Sequence, residues 1–310
     1  MHTIFTESIP ILTSNLFMTR DALTQHLLLM NSFVNLPTEL KIPTYQDRVV
    51  KSLQSFPTQL QLTTNYSDST LDKAIAYHAI TGTIYYDSYY WYFSSKRFMQ
   101  DILEAENNPG IISHLIVVSS GGGESYCIDT AMQVLARCKK PVVVMVEGVM
   151  ASAALYLTLP ATKIYTQTNF DIIGSIGTMI AFWDVTSYWK ELGLKFIEAY
   201  ATESTHKNKK VKDLIDDTPT GKEEYVKTVL DPLQEAFHKA VATYRPDTLK
   251  APVEAHVFNG ETWYASDAYA YGLIDGYNKT FQECATEAYE LGIQHQSEIS
   301  TQQKIYSLIN

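Results

Sequence analysis

The chain has 310 residues, 45% of them hydrophobic, and a formal net charge of -10. This length and composition are typical of a globular protein with one large domain or two smaller ones. The negative charge argues against a nucleic-acid-binding protein, because phosphate recognition needs a basic surface and the main basic cluster here is the short stretch KNKKVK at 207–212.

The cysteine content predicts neither a disulfide framework nor a metal site. Cys127, Cys138 and Cys284 lack the spacing of metal ligands, and an odd number of cysteines favours a reducing compartment. We interpret them as buried apolar residues and expect no metal and no organic cofactor. The N-terminus lacks the basic region of a signal peptide, and no uncharged apolar run reaches the roughly 20 residues that span a bilayer. The sequence therefore predicts a soluble protein.

Residues 1–70 form a predicted N-terminal extension to which we assign no structure. Short apolar patches alternate there with polar and proline-containing stretches, and SFPTQLQLTTNYSDST at 55–70 is typical of a connecting segment. Two roles remain open for this extension: a propeptide removed by self-cleavage, or a docking arm.

From about residue 71 to 290 the chain alternates between predicted strands and helices. Such alternation implies right-handed crossovers and an α/β fold with a mostly parallel sheet flanked by helices. The predicted strands are AIAYHAITGTIYY at 74–86, ISHLIVVSS at 112–120, PVVVMV at 141–146 and KIYTQ at 163–167, and the predicted helices are SSKRFMQDILEAENN at 94–108, YCIDTAMQVLARCKK at 126–140 and ASAALYLTL at 151–159.

The second half of this domain is less regular. The pattern predicts a short helix at 187–193, a strand LKFIEAYA at 194–201, a polar loop at 202–221 and an amphipathic helix at 222–244 kinked at Pro232. A helical turn and a closing strand follow within NGETWYASDAYAYGLIDGY at 259–277. Residues 291–310 are predicted to form a polar, mobile tail.

Ser152 lies where a buried strand gives way to a helix, in EGVMASAALYLT at 147–158. Gly148 predicts a turn, and the helix begins close to Ser152. Unpaired N–H groups and the helix dipole favour negative charge at such a helix start, which suits a nucleophile. The alternative interpretation is a helix-capping serine among small residues that allow close packing.

Two glycine-rich turns, SSGGGE at 119–124 and IIGSIGT at 172–178, accompany this serine. Turns at the carboxyl ends of parallel strands meet at one edge of a sheet. Gly122 and Gly123 allow backbone N–H groups to point at a ligand oxygen, as in an oxyanion hole, although they could equally form a tight turn. No nucleotide-binding glycine pattern is present.

The order of VVSSGGGES, EGVMASAALYL, NFDIIGSIGTM and LGLKFIEAYATESTHK resembles the serine peptidases of the signal peptide peptidase A family. The resemblance covers roughly residues 76–280. The later segments AFHKAVATYRP and VFNGETWYASDAYAYGLIDG are similar to the phage prohead (head maturation) protease subgroup. The resemblance implies a Clp/crotonase-type fold.

The resemblance also implies roles for individual residues. Ser152 matches the nucleophile, and the N–H of Ala153 with that of Gly122 or Gly123 matches the oxyanion hole. Lys207 matches the general base, with Lys209 or Lys210 as alternatives by a small shift in register. A lysine acts as a base only when burial or neighbouring positive charge lowers its pKa from about 10.4.

This chain departs from the family pattern at both turns. The family has Asp-Ser-Pro-Gly-Gly at the first turn, where this chain has SSGGG at 119–123. The family has glycines after the nucleophile, where this chain has Ala153 and Ala154.

The function implied by the resemblance is that of a soluble Ser-Lys endopeptidase and homo-oligomer, acting in the prohead or host cytoplasm. Its expected substrates are scaffold or capsid proteins and the protease itself. The alternatives are a catalytically degenerate scaffold or assembly protein of the same fold, or a bacterial cytosolic relative of signal peptide peptidase. A Clp-type triad would need a histidine near Gly177, and a hydratase would need carboxylates such as Glu124 and Glu147 on these turns.

Overall fold

The computed structural model describes residues 16–18, 60–87, 92–182, 184–215 and 219–309. Within these residues the strands are β1 (Leu16–Met18), β2 (Leu62–Thr63), β3 (Ala74–Thr81), β4 (Ile84–Tyr85), β5 (Phe93–Ser94), β6 (Ile111–Ser120), β7 (Gly122–Glu124), β8 (Val142–Ala151), β9 (Lys163–Thr166), β10 (Ile172–Gly174) and β11 (Thr262–Tyr264).

The α-helices of the described residues are α1 (Ser95–Asn107), α2 (Ile128–Ala136), α3 (Ala153–Thr158), α4 (Thr186–Glu191), α5 (Lys209–Ile215), α6 (Pro219–Tyr225), α7 (Asp231–Tyr244), α8 (Ala265–Ala270) and α9 (Phe281–Ile309). A π-helical turn at Val226–Leu230 joins α6 to α7, and Pro232 is the second residue of α7. The kink at Pro232 stays a prediction.

The main sheet has the strand order β11-β10-β8-β6-β3-β2, and β9 also pairs with β8. All of its pairs are parallel except β10 with β11. A second, smaller sheet has the strand order β1-β7-β4-β5. The predicted α/β class, with a mostly parallel sheet flanked by helices, is confirmed.

Both faces of the main sheet are covered, which explains why its strands are almost continuously apolar. Alternate side chains of β6 and β8, such as Ile116 and Val144, pack in a large cluster with the helices α1, α2, α3 and α7. The intervening side chains, such as Leu115 and Val143, pack against α9. A side chain at Gly292 of α9 would collide with Ile112, so glycine allows the helix to approach the sheet closely.

Two predictions for the secondary structure are wrong. The strand that begins at Val142 does not end at a turn on Gly148 but continues to Ala151, because Gly148 adopts a φ of 85° within an irregular stretch of the pairing with β6. LKFIEAYA at 194–201 is not a strand, since it pairs with no neighbour among the described residues and is exposed.

Two further regions are more helical than predicted. Residues 209–215 of the expected polar loop form α5, in which Lys209 and Asp213 make an ion pair one helical turn apart. Helix α9 continues to Ile309, through the residues for which a polar tail is predicted. No helix in the described ranges has the length and apolar character needed to cross a membrane.

A partly buried ion pair connects two sequence-distant segments of the domain. Arg245, at the end of α7, binds Asp275 at 2.8 Å and donates a second hydrogen bond to the carbonyl of Ala161 at 2.8 Å. Asp275 also accepts the N–H of Ile164. Lys163 also pairs with Asp275, at 3.7 Å. We expect Arg245→Ala to lower the free energy of unfolding by about 2 kcal/mol, because it removes the closer cation of Asp275 and two charge-assisted hydrogen bonds.

Denaturant unfolding measures this loss. The matched control is Lys250→Ala, since Lys250 pairs with Asp247 at an exposed site, where an ion pair contributes little. Equal stability of Arg245→Ala and the parent chain would contradict a structural role for the pair.

Candidate active site

Ser152 lies immediately after the carboxyl end of β8, between two neighbouring strand ends. On one side Ser120 of β6 is paired with Met150, and on the other Gly174 of β10 is paired with Ala151. The two glycine-rich turns that follow these strands therefore flank the serine. This is the edge of a parallel sheet at which ligands bind in open α/β folds.

The backbone at Ser152 is strained. Its φ of 54° and ψ of -121° lie outside the regions that residues with a side chain normally adopt. Its N–H donates to the carbonyl of Gly174 at 2.8 Å, and its own carbonyl accepts the N–H of Tyr156 at 2.9 Å, at the start of α3. Backbone strain of this kind is concentrated at functional sites, where the surrounding hydrogen bonds hold it in place.

The Ser152 hydroxyl is buried and has no hydrogen-bond partner among the described residues. Burying a hydroxyl without a partner costs about 1–3 kcal/mol. The cost is unnecessary for a structural serine, since alanine would fit the same turn. Strain and an unsatisfied hydroxyl at one residue together favour the nucleophile over the capping interpretation, and Ser152 indeed makes no side-chain cap of α3.

The glycine-rich turn after β6 is held by Ser120. The Ser120 hydroxyl donates to the carbonyl of Gly82 at 2.6 Å and accepts the N–H of Gly122 at 3.2 Å. Gly123 is needed for packing, because a Cβ there would lie 2.0 Å from the carbonyl oxygen of Ile84. In this conformation the Gly122 N–H is thus engaged within the turn.

Strand β7, which contains Gly122 and Gly123, packs against α3. The predicted oxyanion donors of the glycine turn therefore lie beside the helix that follows Ser152. Ala153 is the first residue of α3 and is fully buried. The first N–H groups of a helix lack an acceptor within the helix, so that of Ala153 suits an oxyanion.

The GSIG turn is fixed by the segment around Trp263. A Cβ at Gly174 would lie 2.6 Å from the Trp263 ring, and Gly174 has a φ of 127°. The next N–H, that of Ser175, donates to the carbonyl of Glu261 at 2.6 Å. Two motifs that lie about 90 residues apart in the sequence thus meet next to Ser152.

Two carboxyl groups near the turns, those of Glu124 and Glu147, have raised pKa values. Burial raises the pKa of Glu124, although the N–H of Tyr86, at 2.9 Å, favours its ionised form. Burial and the nearby charge of Asp171 raise the pKa of Glu147. Neither carboxylate forms a hydrogen bond with the Ser152 hydroxyl, since that hydroxyl has none from any described residue.

The candidate lysines lie on an exposed segment. Lys207 and Lys210 are exposed, and Lys209 is paired with Asp213. None of them forms a hydrogen bond with Ser152 in the described chain. The structure therefore brings together Ser152, Ala153 and the β7 glycines, but it does not bring a lysine into contact with the serine.

The same segment, residues 184–215, carries large apolar side chains in contact with solvent. Phe196 is 83% exposed and Ile197 is 77% exposed. Exposed apolar patches on proteins commonly mark interaction sites, so this concentration of exposed apolar residues in one segment is a candidate for one. We name this surface the apolar segment; its exposed large side chains are Val185, Tyr188, Trp189, Leu192, Leu194, Phe196, Ile197, Tyr200 and Ile215.

Sequence patterns missed two contacts that position the site. Gln234 of α7 donates to the carbonyl of Ile176 at 3.1 Å, which holds the turn after β10. Tyr156 of α3 donates to Asp129 of α2 at 2.7 Å. Both side chains lie on helices predicted from apolar periodicity, and periodicity does not indicate which polar residue reaches a distant turn.

Strand β1 pairs antiparallel with β7, with Phe17 opposite Gly123 and Met18 opposite Gly122. β4 pairs with the other side of β7. The chain's own N-terminal strand thus lies along the strand that carries the predicted oxyanion donors.

Similar proteins include peptidases and hydratase-type enzymes. Over 178 residues the chain is 31% identical to "Putative protease MJ0651" of Methanocaldococcus jannaschii, which covers 56% of this chain and 54% of that protein. The chain thus spans about half the length of this curated relative.

The chain is also similar to three solved structures. A lysine-to-alanine mutant of the 1510-N membrane-bound stomatin-specific protease, in complex with a substrate peptide, has a TM-score of 0.40 and 17% identity, covering 69% of this chain and 78% of that one. A serine-to-alanine mutant of the same protease has a TM-score of 0.43 and 16% identity, covering 67% and 81%. An enoyl-CoA hydrotase/isomerase family protein from Silicibacter pomeroyi has a TM-score of 0.42 and 14% identity, covering 73% and 82%.

The family assignment rests on the sequence. The model of peptidase family S49 matches residues 135–292, which is half of the chain and includes Ser152, the GSIG turn and the apolar segment. The chain belongs to peptidase family S49.

Proposed function

We propose that the chain is a serine endopeptidase in which Ser152 is the nucleophile and a lysine is the general base. The observation that carries this proposal is the Ser152 hydroxyl, which is buried without a hydrogen-bond partner in the described chain and stands on a strained turn at the carboxyl edge of the sheet. The experiment that tests it is incubation of the full chain, with and without Ser152→Ala, with an unfolded protein substrate.

The reaction would proceed by acyl transfer. A neutral lysine takes the proton of the Ser152 hydroxyl as the oxygen attacks the peptide carbonyl, and it then gives this proton to the departing amine. Water then attacks the resulting ester while the same lysine takes its proton and passes it to the departing Ser152 oxygen, which releases the second product and restores the enzyme. The oxyanion formed in each step requires donors placed before the reaction begins.

The oxyanion donors would be the N–H groups of Ala153 and of Gly122 or Gly123. Ala153 begins α3, and β7 packs beside that helix. The Gly122 N–H presently donates to the Ser120 hydroxyl at 3.2 Å. A negatively charged oxygen is a stronger acceptor than a hydroxyl, so a substrate would take over this donor.

The general base would be Lys207. Base function requires a neutral lysine and therefore burial or neighbouring positive charge, yet Lys207 is exposed in the described chain. Lys207 lies within the apolar segment, whose large apolar side chains are exposed. A second copy of the chain that covers these side chains would bury the lysine as well. The active form would then be a homo-oligomer.

The substrates would be scaffold or capsid proteins, and the chain itself, in a phage prohead. The support is the resemblance of residues 236–246 and 257–276 to prohead proteases, and these two segments meet in the structure near the Arg245–Asp275 pair. A second candidate is a catalytically degenerate assembly protein of the same fold. The exposed position of Lys207 favours that candidate, whereas the strain and burial at Ser152 favour the peptidase.

The N-terminal extension would regulate access to the site. An extended substrate that pairs with β7 must displace β1, which already pairs with Gly122–Glu124. We expect Phe17→Pro to raise kcat/KM for a reporter peptide several-fold, because proline removes a backbone donor from the pairing and increases the fraction of chains with a free edge.

The matched control is Ser32→Pro, which introduces the same residue 15 positions later in the sequence of the extension. Reporter cleavage by both variants and by the parent chain is measured at equal concentration. A rate for Phe17→Pro at or below that of the control would show that β1 does not compete with substrate, without contradicting the peptidase function itself.

A further inference from the structure

Three potential metal ligands converge at the opposite end of the sheet from Ser152. Glu106 is in the last turn of α1, His114 is near the start of β6, and Cys138 lies between α2 and β8. A carboxylate oxygen, an imidazole nitrogen and the thiol sulfur all lie within 4.8 Å of one another. His114 pairs with Val142 at the amino end of β8, whereas Ser152 follows its carboxyl end.

A row of hydrogen-bonded side chains extends from His114 on the side away from Glu106. The Tyr66 O–H donates to the carbonyl of Tyr77 at 2.6 Å, so its oxygen must accept from His78 Nδ1 at 3.0 Å. His78 Nε2 lies 3.1 Å from His114 Nδ1, and His114 Nε2 lies 3.0 Å from Glu106 Oε1.

When both imidazoles are neutral, this row of side chains has one proton fewer than its contacts require. The three contacts are Tyr66 with His78, His78 with His114, and His114 with Glu106, and each needs a proton or another cation between its two atoms. Two neutral rings carry one proton each. With those protons on both Nδ1 atoms, His114 Nε2 presents a lone pair to a carboxylate oxygen. The place of the missing cation is therefore between His114 and Glu106, where the Cys138 sulfur also lies.

The surroundings of these side chains resemble those of a metal site. A metal-binding histidine typically donates its other ring N–H to a fixed acceptor, as His114 Nδ1 would to His78. The Glu106 carboxylate is oriented by the N–H groups of Lys139, at 3.1 Å, and of Lys140, at 3.2 Å.

The ammonium group of Lys140 is not the missing cation between His114 and Glu106. It donates to the carbonyls of Ala105 and Asn108, at 2.6 and 2.7 Å, at the end of α1. No ion pair joins it to Glu106 among the described residues.

We propose that Glu106, His114 and Cys138 bind a divalent metal ion of the zinc class. One nitrogen, one sulfur and one oxygen ligand suit zinc, which bonds them at about 2.0–2.3 Å and takes water as a fourth ligand. The cluster is held close to this arrangement and needs only small side-chain shifts. Cys138 is partly accessible and is therefore the ligand through which solvent reaches the cluster.

The metal would connect α1, β6 and the segment before β8 at one point. Its effect would be structural, because the ligands belong to elements that pack on the core and lie away from the candidate active site. The proposal is therefore independent of the peptidase function, and its test needs no substrate.

The test is zinc titration of the chelator-treated full chain by calorimetry, followed by cobalt substitution. We expect one ion per chain, an absorption band from thiolate bound to cobalt, and at least tenfold weaker zinc binding in both Cys138→Ala and Glu106→Gln. Cys127→Ala is the matched control, because Cys127 is also a partly accessible free cysteine but lies outside the cluster, and it should bind zinc as the parent chain does.

Two results would overturn the proposal. One is zinc binding in Cys138→Ala and Glu106→Gln equal to that of the parent chain, which would place the ion elsewhere. The other is a parent chain that binds no zinc while it remains folded, which would identify the missing cation as a proton on the His114–Glu106 pair. Circular dichroism of each variant confirms that a loss of binding does not reflect unfolding.

Discussion

Ser152→Ala should lower the rate of peptide-bond cleavage by about 10⁴-fold or more, because removing the nucleophile of a serine peptidase leaves only binding and oxyanion stabilisation. Stability should be unchanged or slightly higher, since the variant removes a buried hydroxyl that has no partner in the described chain. Loss of cleavage with retained or increased stability is the combination expected of a catalytic residue.

The rate is measured with an unfolded protein substrate, and stability by denaturant unfolding of the same preparations. Ser297→Ala is the control, because Ser297 lies on α9 and its hydroxyl only bonds within that helix. Cleavage by Ser152→Ala at the parent rate would contradict the account. A large loss of stability would instead indicate that Ser152 has a structural role.

Lys207→Ala should lower the cleavage rate by about 10²- to 10⁴-fold, which is the typical contribution of a general base. Lys209→Ala and Lys210→Ala should retain most of the activity, since Lys209 is already paired with Asp213. Lys207→Arg preserves the positive charge but should be as inactive as alanine, because arginine does not give up its proton in proteins.

His206 directly precedes Lys207 and is the histidine of this segment that could act as a base instead. The three lysine variants and His206→Ala are assayed side by side with the same substrate. Activity retained in Lys207→Ala but lost in Lys210→Ala would move the base to Lys210, and loss only in His206→Ala would indicate a histidine base. Sedimentation of each variant gives its oligomeric state, so that a base can be distinguished from a residue that supports assembly.

The alternation of apolar strands and helices was sufficient to predict the sheet. Strands such as β6 and β8 are apolar on both faces, and only a sheet covered by helices on both sides accounts for that pattern. Ser152 could be located because a helix start after a buried strand is visible in the sequence. The strain at Ser152 could not be predicted, since it depends on hydrogen bonds to Gly174 and Tyr156.

Local patterns failed where tertiary contacts decide the structure. LKFIEAYA at 194–201 has strand-like composition but pairs with no strand in the described chain, and an unpaired segment cannot form a sheet. Gly148 was predicted to end β8, but its positive φ lets the strand continue through an irregular stretch. The sequence also separates Glu106, His114 and Cys138 by spacings that no metal motif shares, so only the packing of three elements reveals their cluster.

Covalent labelling of the full chain with a fluorophosphonate, followed by intact mass and peptide mapping, tests the central claim that Ser152 is an activated nucleophile. The account predicts one adduct per active chain, located on the peptide that contains Ser152 and absent from Ser152→Ala. Adducts located only on other residues, or complete loss of cleavage activity in a chain whose Ser152 remains unlabelled, would contradict it.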